Sequence, residues 1–460
     1  MLAPIFPAWR WRPGWLGWLL LVSAGAAAGI GIESMVYFLL LWAGLASAGM
    51  LWGSSMVLLA ATAGLAWRFR ASGEAVEVPA RKGSSQPSNR HLWWMGLAAA
   101  CGLLMAAISV ASTTTGAPHG DWDAWSMWNL RAKHLAGPDM SWRHAVSVDM
   151  PRSWPDYPLL VPASVARLWR MGGAITTTAP QALSSLYTAC AVGLLFGLLA
   201  MARGWSAAVL ALLPMAASSS YWAQGSAQYA DVPLSVYMAG SLGLAMLRQD
   251  RAGLMAAGLL ASMAAWTKNE GAVYCALLLA AMFYFRGKER FTAMLMGAAP
   301  GLIVVAAFKL VLAPAPGLLA DPISSIPGKL ASGDRWMTIA SMAVDEVRNM
   351  GLGVGHPLLV LAALGVALGF RPGFKKDVSW RFPAAVLTLQ MCAYLGVYLI
   401  TPSNVQWQVG SSFGRLLGQV WPASLMTVFL AMRTIEEQLP VAELAAPPVK
   451  EEKKKKGRRG

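Results

Sequence analysis

Apolar runs of 17 or more residues recur from one end of this 460-residue chain to the other, and a helix of about that length crosses a ~30 Å hydrocarbon core. Inside lipid every backbone N–H and C=O must find a partner within the protein, which leaves only helices or closed barrels. Barrel strands would alternate apolar and polar residues, and these runs do not. The chain is 56% hydrophobic and 13% charged, against about 25% charged in a soluble domain. The expectation is an all-α polytopic membrane bundle of about 12 (11–13) spans, with interfacial helices in its first large outer loop. The spans are read at 14–31, 43–67, 92–112, 182–202, 205–221, 233–247, 252–267, 271–285, 291–313, 352–370, 382–401 and 419–435, with a break expected at Gly53-Ser54-Ser55. No cleavable signal peptide is expected, and no inverted repeat is visible.

The net charge of +15 suggests nucleic acid until it is sorted by side. The basic clusters near Arg10, 68–90, Arg203, 248–251, 286–290, 371–381 and from Arg433 onward all fall on one side of the alternating spans. Cytoplasmic retention of basic loops gives that pattern without a nucleic-acid partner. Three regions follow: 1–91, two spans and a basic cytoplasmic loop; 92–435, the main transmembrane module; and 436–460, a disordered basic cytoplasmic tail. Cys101, Cys190, Cys275 and Cys392 each fall within an expected span and read as small apolar core residues rather than disulfide partners.

Two outer loops are long, 113–181 and 314–351, and loops of that length usually carry function. The first opens on His119-Gly120-Asp121-Trp122-Asp123-Ala124-Trp125-Ser126-Met127-Trp128-Asn129, placing carboxylates and tryptophans at a membrane surface. A helix over about 124–136 would line up Trp125, Trp128, Leu130 and Leu135, with Asp123 as its N-cap. Asp121 has no such structural use. Held beside aromatic rings near lipid, it suits a general base for a hydroxyl, or a cation ligand together with Asp123. Trp122 and Trp125 read either as an interfacial belt or as a platform for a sugar ring.

Other outer segments supply complementary groups. Prolines flank Asp156 and Tyr157 in Trp154-Pro155-Asp156-Tyr157-Pro158 and make that turn rigid. Asp231 stands at the mouth of a span, as its cap or as part of a site. Lys268 and Glu270 share an outer turn, where they either pair with each other or offer a phosphate counter-charge. Arg415 stands alone in the last outer loop. The histidines lack metal-ligand spacing, and no phosphate-cradling glycine loop is present. Acids from the early outer loops and cations from the later turns suit a substrate with a phosphate head and a long apolar tail.

In the order and sidedness of these segments, the chain resembles the C-type glycosyltransferase superfamily, integral membrane enzymes that use polyprenyl-phosphate sugars. Gly120-Asp121-Trp122-Asp123, Asp156-Tyr157-Pro158, Tyr229-Ala230-Asp231-Val232-Pro233, Thr267-Lys268-Asn269-Glu270-Gly271, and Arg415-Leu416-Leu417 followed by Trp421-Pro422 carry the resemblance over about residues 92–425. It implies an inverting, lipid-phosphate-sugar-dependent enzyme of the bacterial inner membrane with its active site facing the periplasm. Asp121 or Asp123 would act as base or metal ligand, with a divalent cation (Mg or Mn) as candidate cofactor. Lys268 and Arg415 would hold the donor phosphate, and Asp156, Tyr157, Asp231, Glu270, Trp122 and Trp125 would line the substrate. The expected partners are a polyprenyl-phosphate-linked sugar, a glycan or lipid acceptor, and membrane lipid. A large soluble C-terminal domain is missing from the pattern, which disfavours a protein acceptor. The alternatives are a transporter or flippase, or a polymerase or ligase, of lipid-linked saccharides.

Overall fold

The computed structural model describes residues 15–70, 90–137, 139–150, 153–315, 317 and 321–438. Among them there is no strand, and the chain is a bundle of helices: α1 (Trp15–Trp42), α2 (Ala48–Arg70), α3 (Arg90–Gly116), α4 (Asn129–Ala136), α5 (Leu160–Gly172), α6 (Thr178–Arg203), α7 (Trp205–Ala217), α8 (Ser219–Ser226), α9 (Asp231–Leu247), α10 (Arg251–Thr267), α11 (Asn269–Arg286), α12 (Lys288–Ala307), α13 (Ile326–Ala331), α14 (Gly333–Arg348), α15 (Pro357–Leu368), α16 (Val378–Ile400) and α17 (Val405–Ala431).

Five helical stretches are long and apolar enough to cross a membrane: Gly17–Trp42, Trp93–Gly116, Thr178–Arg203, Lys288–Leu312 and Val378–Ile400. A sixth is reached if α8 and α9, bent by 115° at their junction, count as one broken span. A helix lies over each of the twelve expected ranges. At 1.5 Å per residue, however, the 13-residue α7 and the 12-residue α15 reach only about 20 Å, well short of the hydrocarbon thickness.

The bundle is tied by small residues. A Cβ on Gly258 of α10 would overlap the Met294 carbonyl oxygen of α12, and one on Gly297 of α12 would overlap the Met255 carbonyl of α10. Close backbone approach through glycine is how helices associate where lipid removes the hydrophobic incentive. Gly258→Val is therefore expected to force the pair apart and cost about 1–3 kcal/mol, read as a lowered unfolding midpoint of the detergent-solubilised protein. An unchanged midpoint would show that the crossing is slack. Beside this pair, α1 packs its Phe38 ring against Trp266 and Phe308 at 5.2 and 6.1 Å, and Trp266 Nε1 donates to Ser34 Oγ at 2.8 Å.

Several expectations need correction. The chain breaks at 43–47, between α1 and α2, and α2 runs unbroken through Gly53-Ser54-Ser55; three residues of Gly and Ser are too few to end a helix whose neighbours are all helix-compatible. α1 continues to Trp42, so Glu33 lies within an apolar helix and not in a loop. There it pairs with Arg167 of α5 at 3.0 Å, which is how a carboxylate is tolerated at that depth. Arg415 belongs to the interior of α17 rather than to a loop. The expected 124–136 helix is divided into a π-helical turn, Ala124–Trp128, and α4. That wider turn rotates Trp125 outward, away from the buried Trp128 and Leu135. Cys190 and Cys275 are buried as expected, but Cys101 and Cys392 face outward and are not core residues. The 439–460 part of the expected disordered tail lies outside the described residues.

Candidate functional site

Chain direction brings the polar residues to one end of the bundle. Asp231 opens α9, Lys268 follows α10, Glu270 sits in the first turn of α11, Lys309 ends the helical run after α12, and Arg415 lies in the first half of α17. The opposite end is tied by Arg203 with Glu437 at 2.8 Å and by Arg248 with Asp250 at 2.7 Å. Desolvation raises the Asp250 pKa, but Arg248 and the Gly253 N–H outweigh it, so its carboxyl is held below its usual value.

The segment between α3 and α6 is strapped across the α8–α9 break. Gly120 has φ +74°, and a Cβ there would come within 2.6 Å of both Ala124 Cβ and the Ala227 carbonyl, so glycine meets both the dihedral and the space. The Asp121 N–H donates to Ala227 O at 3.2 Å. Gln228, itself at φ +61°, donates from Nε2 to Pro118 O at 3.1 Å and accepts from Asn129 Nδ2 at 2.9 Å. This clasp sets Asp121 and Asp123 beside Tyr229. Burial first, and then Asp123 and Asp121, raise the Tyr229 pKa, so its phenol keeps its proton.

Asp123 occupies the N-cap position of the π-helical turn but makes no capping bond; its carboxylate pairs with Arg415 instead, whose guanidinium lies 5.2 Å above the Tyr229 ring. Asp121 is exposed and accepts the Trp122 N–H at 2.7 Å. The two carboxylates thus address different partners. Among the described residues no group of three or more His, Cys, Asp or Glu gathers as a metal cluster. Trp122 and Trp125 meet edge to face at 4.5 Å, both exposed. Trp128, Trp142 and Trp169 are buried, so they serve packing rather than an exposed belt.

Deeper in, Asp231 is fully buried. It accepts from Lys268 Nζ at 2.9 Å and from Gln419 Nε2 at 2.5 Å, and Arg415 is within electrostatic reach. Its place at the start of α9 also favours negative charge there. Lys268 pairs with Glu270 as well, at 3.3 Å. The expected Lys268–Glu270 pair is therefore part of a three-membered set, and Asp231 is not the cap of α9, whose N-cap position is Ala230. Arg415 and Gln419 lie four apart on α17 and so share a face. Gln390, Tyr394 and Tyr398 do the same on α16: Tyr394 donates to Gln419 Oε1 at 2.5 Å, and Gln390 to Glu270 O at 3.2 Å.

The rigid 154–158 turn closes the cluster. Asp156 Oδ2 accepts from Asn269 Nδ2 at 2.8 Å, and Asn269 Oδ1 accepts from Lys309 at 2.6 Å. Lys309 also donates to the Asp156 carbonyl. Tyr157 lies under Lys268, 5.8 Å from Nζ to the ring. Burial, then Glu270 and Asp156, push its phenol well above its usual value, so it keeps its proton. Arg131 holds the turn from behind. It is fully buried and donates to the carbonyls of Ala145, Trp154, Pro155 and Tyr157 at 2.8, 3.4, 3.3 and 2.7 Å. Burial lowers its pKa, and Asp156 opposes that shift. Arg131→Met would leave these acceptors unpaired, at an expected cost of about 3 kcal/mol. Amide hydrogen exchange should then accelerate across 145–157; unchanged protection there would refute the role.

The segment carrying α13 and α14 leans on the same end. Arg335 donates to Tyr398 O at 3.0 Å and Thr401 O at 2.7 Å, and Lys329 to Ile400 O at 2.9 Å. These cations satisfy the last carbonyls of α16. Sequence reasoning gave no role to Arg131, Lys309, Tyr394 or Gln390. For Gln390 and Tyr394 the available signal was two polar residues four apart within an apolar helix.

No family model matches this chain, and neither the curated proteins nor the solved structures yield a match.

Proposed function

We propose that this chain is a membrane glycosyltransferase that moves a sugar from a polyprenyl-phosphate donor to a glycan or lipid acceptor. The observation that carries this reading is one end of an apolar bundle where Asp123, Asp156, Asp231 and Glu270 meet Arg415, Lys309 and Lys268, with Asp121 exposed beside them. Apolar helices suit the prenyl tail, and the cations suit its phosphate. Asp121, exposed and paired to no cation among the described residues, is the general base. It takes the proton from an acceptor hydroxyl whose oxygen bonds to the anomeric carbon. The carbon–oxygen bond to phosphate breaks with its electron pair on the phosphate, near Arg415, and the anomeric configuration inverts. Trp122 and Trp125 would flank the sugar ring. In this proposal the helices make about twelve crossings of a bacterial inner membrane, with the site on the periplasmic face.

The test is reconstitution in liposomes with a polyprenyl-phosphate sugar and a lipid or glycan acceptor. A new glycosidic bond of inverted configuration is the expected product. One observation favours a second reading, transport of a lipid-linked saccharide: the Glu33–Arg167 pair lies along an apolar helix, and intramembrane charges often line a path. Movement of the saccharide across the bilayer with no bond made would select it.

A further inference from the structure

We infer that Asp123 is an exchangeable counter-ion on Arg415, held where the substrate's phosphate binds and displaced by it. This rests on the transferase reading for the identity of the phosphate, but not for the exchange itself. The ion pairs in the cluster differ in access. Asp231 and Lys268 retain 0% and 7% of their side-chain surface, whereas Asp123 and Arg415 retain 18% and 23%. Lys309 retains 28% but its partner Asp156 only 7%, so the Arg415 pair is the one in this cluster with both members open to an incoming anion. Among the described residues the recorded hydrogen bond of Arg415 goes to Asp123 alone, and its Nε is buried without a partner.

The charge balance points the same way. Asp123, Asp156, Asp231 and Glu270 face Arg131, Lys268, Lys309 and Arg415, four carboxylates against four cations. An added phosphate would leave this set net negative unless one carboxylate moved out. Asp231 is locked by Lys268 and Gln419, and Asp156 by Asn269. Glu270 keeps its Oε2 buried beside Lys268, whereas Asp123 is part-exposed, makes no cap bond and lies at the head of a π-helical turn, a wide turn often found at functional sites. With part of its side chain already exposed, Asp123 can turn out into solvent when the phosphate arrives.

The experiment measures binding to the full-length protein in nanodiscs with three probes: decaprenyl monophosphate, phosphatidylglycerol and inorganic phosphate. Asp123→Asn and Asp123→Ser should each bind decaprenyl monophosphate about tenfold more tightly than the parent, because the competing carboxylate is gone. Arg415→Gln should weaken binding at least tenfold, and Asp123→Asn should bring no gain in that background. Tightening toward phosphatidylglycerol or inorganic phosphate alone would uphold the exchange and count against a prenyl donor. Equal or weaker binding of every probe by both Asp123 variants overturns the exchange, whatever transfer activity the parent has.

Discussion

Asp121→Asn is expected to lower the rate of sugar transfer by about 10²–10⁴-fold, the usual contribution of a positioned general base, while leaving the unfolding midpoint unchanged. The separation follows from where the residue sits. Asp121 is exposed, and its Oδ1 caps only the adjacent Trp122 N–H. Asparagine keeps the same shape and an acceptor oxygen for that bond but cannot take a proton from a hydroxyl. The backbone clasp through Ala227 and the left-handed Gly120 does not involve the side chain. Steady-state transfer and thermal unfolding, measured on one preparation, check both halves. Full activity in the variant would remove Asp121 from the mechanism, and a large fall in stability would make it a structural residue.

Lys268→Met is expected to cost about 3–5 kcal/mol of stability, because removing one partner of a buried pair strands the other charge. Asp231 is fully buried, its Oδ2 has no partner among the described residues, and Lys268 is also the cation of Glu270. Methionine fills the aliphatic volume but leaves both carboxylates short of a positive charge, with Gln419 the remaining neutral donor to Asp231. The double variant Lys268→Met/Asp231→Asn should regain a large part of the loss, since the fully buried Asp231 charge is then gone and only Glu270 is left without its cation. Unfolding of the single and double variants in one detergent gives the coupling directly. Additive losses would show that the two groups do not depend on each other.

Much of the bundle was legible in the residues, because an apolar helix in lipid needs only its own hydrogen bonds and its own length. The helical stretches fall where the apolar runs are, and the expected alternation of sides puts Asp231, Lys268, Lys309 and Arg415 at one end. Where local rules met tertiary demands, they failed. Asp123 looks like an N-cap, but a long-range cation claims its carboxylate. Glu33 looks like a loop residue because a carboxylate is costly in a span, and only its packing against Arg167 makes it tolerable. Arg131 carries no motif at all. Its importance lies in four carbonyl groups contributed by residues up to 26 positions away.

The sequence by itself determined the all-helical class, the candidate acids and cations, and the end of the bundle to which each belongs, because hydropathy and chain direction are local and cumulative. Only the tertiary structure decided which acid meets which base. Pairing Asp123 with Arg415, and Asp231 with Lys268, depends on how α8 and α9 bend apart and how α17 lies against them. A charge's partner is set by distances across the bundle, and residue spacing along one chain does not encode those distances.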